Sequence, residues 1–228
     1  MRQSPYLLAT TALLLAATAL PSAAQHTTPS NPRWYVTGSI GGSLISDPRV
    51  AFTPPGGTSG SGKFKLGSGF MAGGSVGWYL RPDWRIEADY NYRTNKLRST
   101  TVPGLDAAQS DADYASVLIM ANVLKDFDGW SSSFATFKPY VGAGLGIAQE
   151  VDTDLNIGGV QREFSGNRAA WQLLAGVNWQ YRGPWFAGVG LRYVDAGTLR
   201  LKSSPSGLGE IKADYKGLGL DVRLGYRF

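Results

Sequence analysis

The last eleven residues, Leu218 to Phe228, alternate without interruption. Leu218, Leu220, Val222, Leu224, Tyr226 and Phe228 fall on one face of an extended strand, and Gly219, Asp221, Arg223, Gly225 and Arg227 on the other. One face suits hydrocarbon and the other suits water. The split recurs in Trp171 to Tyr181, whose odd positions are Trp, Leu, Ala, Val, Trp and Tyr and whose even positions are Gln172, Leu174, Gly176, Asn178 and Gln180. In Trp84 to Arg93 the even positions are Trp, Ile, Ala, Tyr and Tyr, against Arg85, Glu87, Asp89, Asn91 and Arg93. A soluble sandwich hides its apolar face against a second sheet, where aromatics rarely bracket small aliphatics as Trp171 and Trp179 do. Antiparallel strands closed into a barrel inside a membrane account for that arrangement.

Helical spanning is excluded, because beyond the N-terminus no window reaches the run of ~18 apolar residues that a spanning helix needs. The N-terminus itself has Arg2, an uncharged run from Tyr6 to Leu20, and Pro21-Ser22-Ala23-Ala24 with small residues three and one before a cut after Ala24. This predicts a secretory signal peptide over residues 1–24, followed by a disordered lead-in over 25–32 and a barrel over 33–228. Cysteine is absent, so disulfides, thiolate metal sites and thiol nucleophiles are excluded. The net charge of +5 falls to +4 without Arg2, and its dispersed cations do not make a nucleic-acid surface. They do suit the phosphates of anionic headgroups or lipopolysaccharide.

Eight strands are predicted, at about Arg33 to Ser46, Lys65 to Leu80, Trp84 to Arg93, Asp113 to Lys125, Thr136 to Gln149, Ala169 to Tyr181, Pro184 to Thr198 and Ala213 to Phe228. The fourth, with Val117, Leu118, Ile119 and Met120 in succession, alternates least cleanly. Long connections at Asp47 to Phe64, Arg98 to Ala112, Glu150 to Asn167 and Leu199 to Lys212 alternate with the tight turns Arg81-Pro82-Asp83 and Arg182-Gly183 and the intermediate Asp126 to Ala135. Short turns belong to the periplasmic rim and long loops to the outside, which makes both termini periplasmic. The first long loop, Pro54 to Gly62, is predicted to be mobile.

Pro139-Tyr140-Val141-Gly142-Ala143-Gly144-Leu145-Gly146, Ala170-Trp171-Gln172 to Trp179, and the closing Gly225-Tyr226-Arg227-Phe228 carry a resemblance to the small eight-stranded outer-membrane β-barrel family, with its OmpA-like and opacity-type porin-like members. The resemblance spans residues 33 to 228. It implies an all-β, up-and-down transmembrane barrel of a Gram-negative outer membrane, and a C-terminal strand ending in Phe228 that the barrel-assembly machinery reads. Nothing follows Phe228, so no peptidoglycan-binding domain is expected. Similar barrels that act on lipid A use a histidine beside a serine on the wall. Here the one histidine, His26, sits in the lead-in, so His-based relays and His-ligated metal or haem are not expected.

Inward positions carry the remaining chemistry. Arg85, Arg93, Arg192, Arg223 and Arg227 share the predicted interior with Glu87, Asp89 and Asp221. Glu87 and Asp89 stand two apart like a hydrolase pair, but an eight-stranded barrel is about wide enough to be filled by side chains, and charges there must pair. An ion-pair plug is the expectation, with a narrow, anion-favouring channel for small solutes as the alternative. The inward Gly142, Gly144, Gly146, Gly188 and Gly190 make room for long arginines or follow from tight curvature. Two aromatic girdles are predicted: Trp34, Trp78, Trp84, Trp179, Trp185, Tyr226 and Phe228 at the short-turn end, and Tyr92, Trp171, Tyr193 and Tyr215 at the other. The expected role is non-enzymatic, without cofactor: a rigid wall presenting four surface loops to host or phage molecules or to lipopolysaccharide.

Overall fold

The computed structural model describes residues 33–228 except 55, 104–105, 108–112, 158–159, 182 and 205–208. The predicted signal peptide, the lead-in with His26, and Arg182 of the second tight turn lie outside the described residues. Eleven strands form among the described residues: β1 (Trp34–Ile45), β2 (Arg49–Thr53), β3 (Gly60–Arg81), β4 (Trp84–Thr100), β5 (Asp106–Ala107), β6 (Asp113–Asp126), β7 (Trp130–Ser131), β8 (Ala135–Ile157), β9 (Val160–Tyr181), β10 (Trp185–Ser204) and β11 (Glu210–Arg227). β1 and β2 lie end to end between the same neighbours, β3 and β11, and so make one wall strand. β5 and β7 are two-residue additions that pair with β8. The others complete an eight-stranded antiparallel wall in chain order.

The wall closes. β1 pairs with β11 from Tyr35↔Arg227 to Ile45↔Gly217, and with β3 from Trp34↔Trp78 to Ser43↔Gly69. At the end of the seam the Phe228 N–H donates to the Trp34 carbonyl at 3.0 Å, and the Trp34 N–H donates back at 3.3 Å. No wall strand is left as an edge, which is the condition for placing strands in hydrocarbon. Outward apolar side chains are correspondingly bare, Leu145 at 72 % and Leu220 at 63 % exposed.

Strands run much further than alternation of apolar residues predicts. The segment expected as a long loop from Glu150 to Asn167 is the top of a hairpin, with β8 and β9 paired from Val151↔Gly166 to Ile157↔Val160. Likewise β2 and the start of β3 occupy much of the expected first loop, and β10 and β11 stay paired up to Lys202↔Glu210. At ~3.3 Å per residue and a tilt near 40°, the 23 residues of β8 rise about 58 Å along the barrel axis, against an apolar band of about 25 Å. The excess stands beyond the membrane layer. There the outward face meets water, its residues become Arg49, Lys63, Lys65 and Lys212, and the lipid-type alternation disappears while the pairing continues.

The interior changes with it. At the short-turn end it holds the arginines and carboxylates. At the long-hairpin end it is an apolar core that includes Val50, Phe52, Phe64, Leu97, Phe164, Leu199, Leu201 and Ile211. Phe52 meets Phe164 edge-on across the barrel, 6.4 Å between ring centres. Tyr215, expected in the outer girdle, points inward and is fully buried, its hydroxyl 2.6 Å from Ser116 Oγ. Its position explains the correction: odd residues of β11 face inward, as Asp221 and Arg223 do.

β10 carries a bulge between Asp195 and Gly197, where Gly197 takes φ = 64° and its N–H donates to Asp195 Oδ1 at 2.7 Å. A Cβ there would make only an ordinary contact with Arg168 Nε at 3.8 Å, so the demand for glycine comes from the backbone alone. Gly197→Val is expected to cost about 1–2 kcal/mol. Gly38→Ala, on extended backbone with open space around the new methyl, should stay within about 0.5 kcal/mol of the parent. Urea unfolding in lipid vesicles, followed by tryptophan fluorescence, checks both.

Candidate functional site

The membrane-level interior is built from inward positions of β1, β4, β6, β8, β10 and β11, and it divides into layers. In the lower layer Arg85 on β4 donates from Nε to Asp126 Oδ1 at 3.1 Å and from Nη1 to the Tyr35 hydroxyl at 2.9 Å. The Tyr35 hydroxyl in turn donates a hydrogen bond to Glu87 Oε2 at 2.8 Å, and Arg85 Nη1 lies 3.6 Å from that same oxygen. In the middle layer Arg192 on β10 donates to Asp89 Oδ2 at 2.8 Å and reaches Asp221 Oδ2 at 3.4 Å. Arg223 Nη2 donates to the other oxygen of Asp221 at 3.0 Å.

One aromatic ring joins the layers. The Tyr140 ring has the Arg85 guanidinium 4.9 Å and the Arg223 guanidinium 5.1 Å from its centre. Such contacts are worth more when desolvated, and both arginines are buried here. Gly190 makes the space: a Cβ on it would press on Arg223, the Tyr140 hydroxyl and Asp221. Gly188 is confined by Asn178 and Arg223. Gly142, Gly144 and Gly146 instead admit the backbone and side chains of the neighbouring β6, Leu124, Asn122 and Met120 among them.

Two of the predicted interior cations stand apart from the carboxylates. Arg227, half-buried at the short-turn rim, lies over the Phe186 ring at 5.0 Å and the Tyr79 ring at 6.0 Å. Arg93, higher on β4, donates from Nε to Asn91 Oδ1 at 2.9 Å. Neither has a carboxylate within 4.0 Å among the described residues. Conversely, Asp126, Tyr35 and Tyr140 belong to the site although residue types alone do not single them out. Asp126 falls in a predicted connection but is the last inward residue of β6, and Tyr140 shares the inward parity of Gly142 and Gly144.

Glu87 and Asp89 are both buried, and each is engaged with an arginine. Their geometry holds cations rather than presenting an acid and a base to a substrate. At the short turn Lys125 donates to Asp83, which holds the Asp83 carboxyl below the usual carboxylate range, and the ammonium lies 5.2 Å from the Trp84 ring centre.

Outward aromatics mark the two ends of the apolar band. At the short-turn end Trp34 stacks on Trp78 at 5.8 Å, Trp185 meets Tyr226 at 5.0 Å, and Trp179 meets Phe137 at 6.2 Å. Trp84 and Phe228 are exposed beside them, joined by Phe127, Trp130 and Phe134 of the β6–β8 connection. At the other end Trp171 meets Tyr193 at 5.5 Å, with Tyr92 exposed at a similar level.

Asp221 serves two arginines at once, so Asp221→Asn leaves buried cations undercompensated. A loss of about 3–5 kcal/mol of unfolding free energy is expected. In a double-mutant cycle Arg223→Met should cost less in the Asp221→Asn background than alone, measured by urea unfolding in vesicles.

Comparison with known proteins follows this geometry. The family model described as outer membrane protein beta-barrel domain matches residues 10–228. Among solved structures, OprG from Pseudomonas aeruginosa aligns with a TM-score of 0.58 at 17 % identity, covering 86 % of this chain and 96 % of that one. Neisserial surface protein A aligns at 0.49 and 19 % identity, covering 86 % and 97 %. The N-terminal β-barrel domain of Pseudomonas aeruginosa OprF aligns at 0.43 and 14 %, covering 86 % and 98 %. The search of curated proteins returns no match. The chain belongs to the outer membrane protein beta-barrel domain family, and it resides in the outer membrane of a Gram-negative cell.

Proposed function

We propose that the protein is a non-enzymatic structural and surface-interaction barrel. One observation carries this reading: the described inward side chains are buried, with ion pairs at membrane level and an apolar core above them. An interior occupied by buried side chains favours display over transport. In the proposed orientation the signal peptide is removed after Ala24, both termini are periplasmic, and the long hairpins project outward. The display surface is then the extended hairpins together with the connections that join their strands.

Three kinds of partner belong to this reading. On the outward face beyond the girdle, Arg49 pairs across strands with Lys63, and Lys212 with Arg200. Like charges placed directly opposite destabilise a sheet unless an anion lies nearby; Asp214 lies 3.6 Å from Arg49 Nε, and lipopolysaccharide phosphates would serve Lys63, Lys212 and Arg200. The C-terminal strand ending in Phe228 is the segment offered to the barrel-assembly machinery. Host or phage molecules are the candidate ligands of the hairpin tips.

The chain lacks cysteine, so single-cysteine variants report orientation directly. Ser59→Cys should react with a membrane-impermeant maleimide on intact cells, and Asp83→Cys only after the outer membrane is opened. The reverse pattern would overturn the orientation. In planar bilayers the protein is expected to be electrically silent. Discrete anion-favouring steps altered by Arg223→Ala would instead establish the narrow channel lined by Arg85, Arg93, Arg192, Arg223 and Arg227.

A further inference from the structure

The interior carboxylates are engaged by arginines in two layers. The lower layer sets Arg85 against Glu87 and Asp126, and the middle layer sets Arg192 and Arg223 against Asp89 and Asp221. Arg93 stands above both without a carboxylate within 4.0 Å among the described residues, and it is 0 % exposed. A guanidinium cannot shed its proton to escape burial. Its Nε is used by Asn91, while Nη1 and Nη2 have no protein partner. The side-chain amide nitrogen of Asn91, also fully buried, has none either.

The surroundings give Arg93 no other counter-charge. Its cross-strand neighbours are Met71 on β3 and Ser116 on β6, and the Ser116 hydroxyl is occupied by Tyr215. Above lies the apolar core, including Leu118, Tyr114 and Phe64. Below, Asp89 and Asp221 are already engaged with Arg192 and Arg223.

We propose that the barrel interior holds a small monovalent anion of the halide class against Arg93. The single positive charge selects a monovalent ion. Met71, directly across the strand pair, and Asn95, two positions along β4, are both fully buried, which disfavours a bulky organic anion. The apolar core above favours an ion that gives up its water readily, so chloride and bromide rank ahead of sulfate. The ion is taken up as the wall closes and acts as a structural counter-charge. The inference is independent of the surface-interaction role, since it rests on the burial of Arg93 and its unpartnered N–H groups.

The test measures unfolding of the full chain folded in detergent micelles, at constant ionic strength, while gluconate is replaced by chloride or bromide. Above saturation each tenfold rise in halide should raise the folded-to-unfolded ratio tenfold, because the ion binds only the folded state. Arg93→Met should lose that dependence, Arg93→Lys should keep it, and Arg227→Met at the open rim should leave it intact. Should Arg93→Met fail to fold, anomalous scattering from a bromide-grown crystal of the parent decides: a peak beside Arg93 supports the site. Equal stability in gluconate and halide, a dependence that survives Arg93→Met, or an anomalous map with no peak at Arg93 would each show hydration alone, or binding elsewhere, and overturn the proposal.

Discussion

Every backbone N–H and C=O at membrane depth must find a partner within the protein, because hydrocarbon offers none. The cylinder meets that demand by pairing β1 with both β3 and β11, with the seam carried to Trp34 and Phe228 at its lower end. Once the wall is closed, strand parity becomes a rigid assignment. A residue two positions along faces the same side from one rim to the other, interrupted only at bulges such as Asp195–Gly197. All the chemistry of this chain is written on those two sides.

Parity stays constant while the surroundings change, and so the character of each face inverts. On β11 the outward residues are Lys212, Asp214 and Lys216, then Leu218, Leu220, Val222 and Leu224. The inward ones run oppositely, from Ile211, Ala213 and Tyr215 to Asp221 and Arg223. Beyond the membrane the barrel is organised as a soluble protein, with apolar contacts inside and charge outside. Within the membrane the outside is already apolar, and the inside holds polar groups whose burial is offset by ion pairs, hydrogen bonds and contacts with aromatic rings. Tyr215 and Ser116 sit where one regime passes into the other.

Much of this was legible in the residues. The even positions of Trp84 to Tyr92 and the odd positions of Trp171 to Tyr181 face outward as their alternation predicts, and the strand count and antiparallel order follow. Strand length was not legible above the girdle. There a water-facing Lys63 or Lys212 has the character of a loop residue, and only its paired backbone makes it strand. Tyr215 shows the same limit in reverse: an aromatic near a rim suggests a girdle, but its parity takes it inside.

The sequence by itself determined which side of the wall each residue occupies, because a period of two is a property of the extended backbone and needs no information from distant residues. Which inward residues meet was decided only by the tertiary structure. Asp89 and Arg192 are 103 positions apart, Arg85 and Asp126 are 41 apart, and their contacts depend on the stagger accumulated across several strand pairs. That stagger brings Tyr140 between two guanidinium groups, gives Asp221 two arginines and leaves Arg93 with none, which no local pattern encodes.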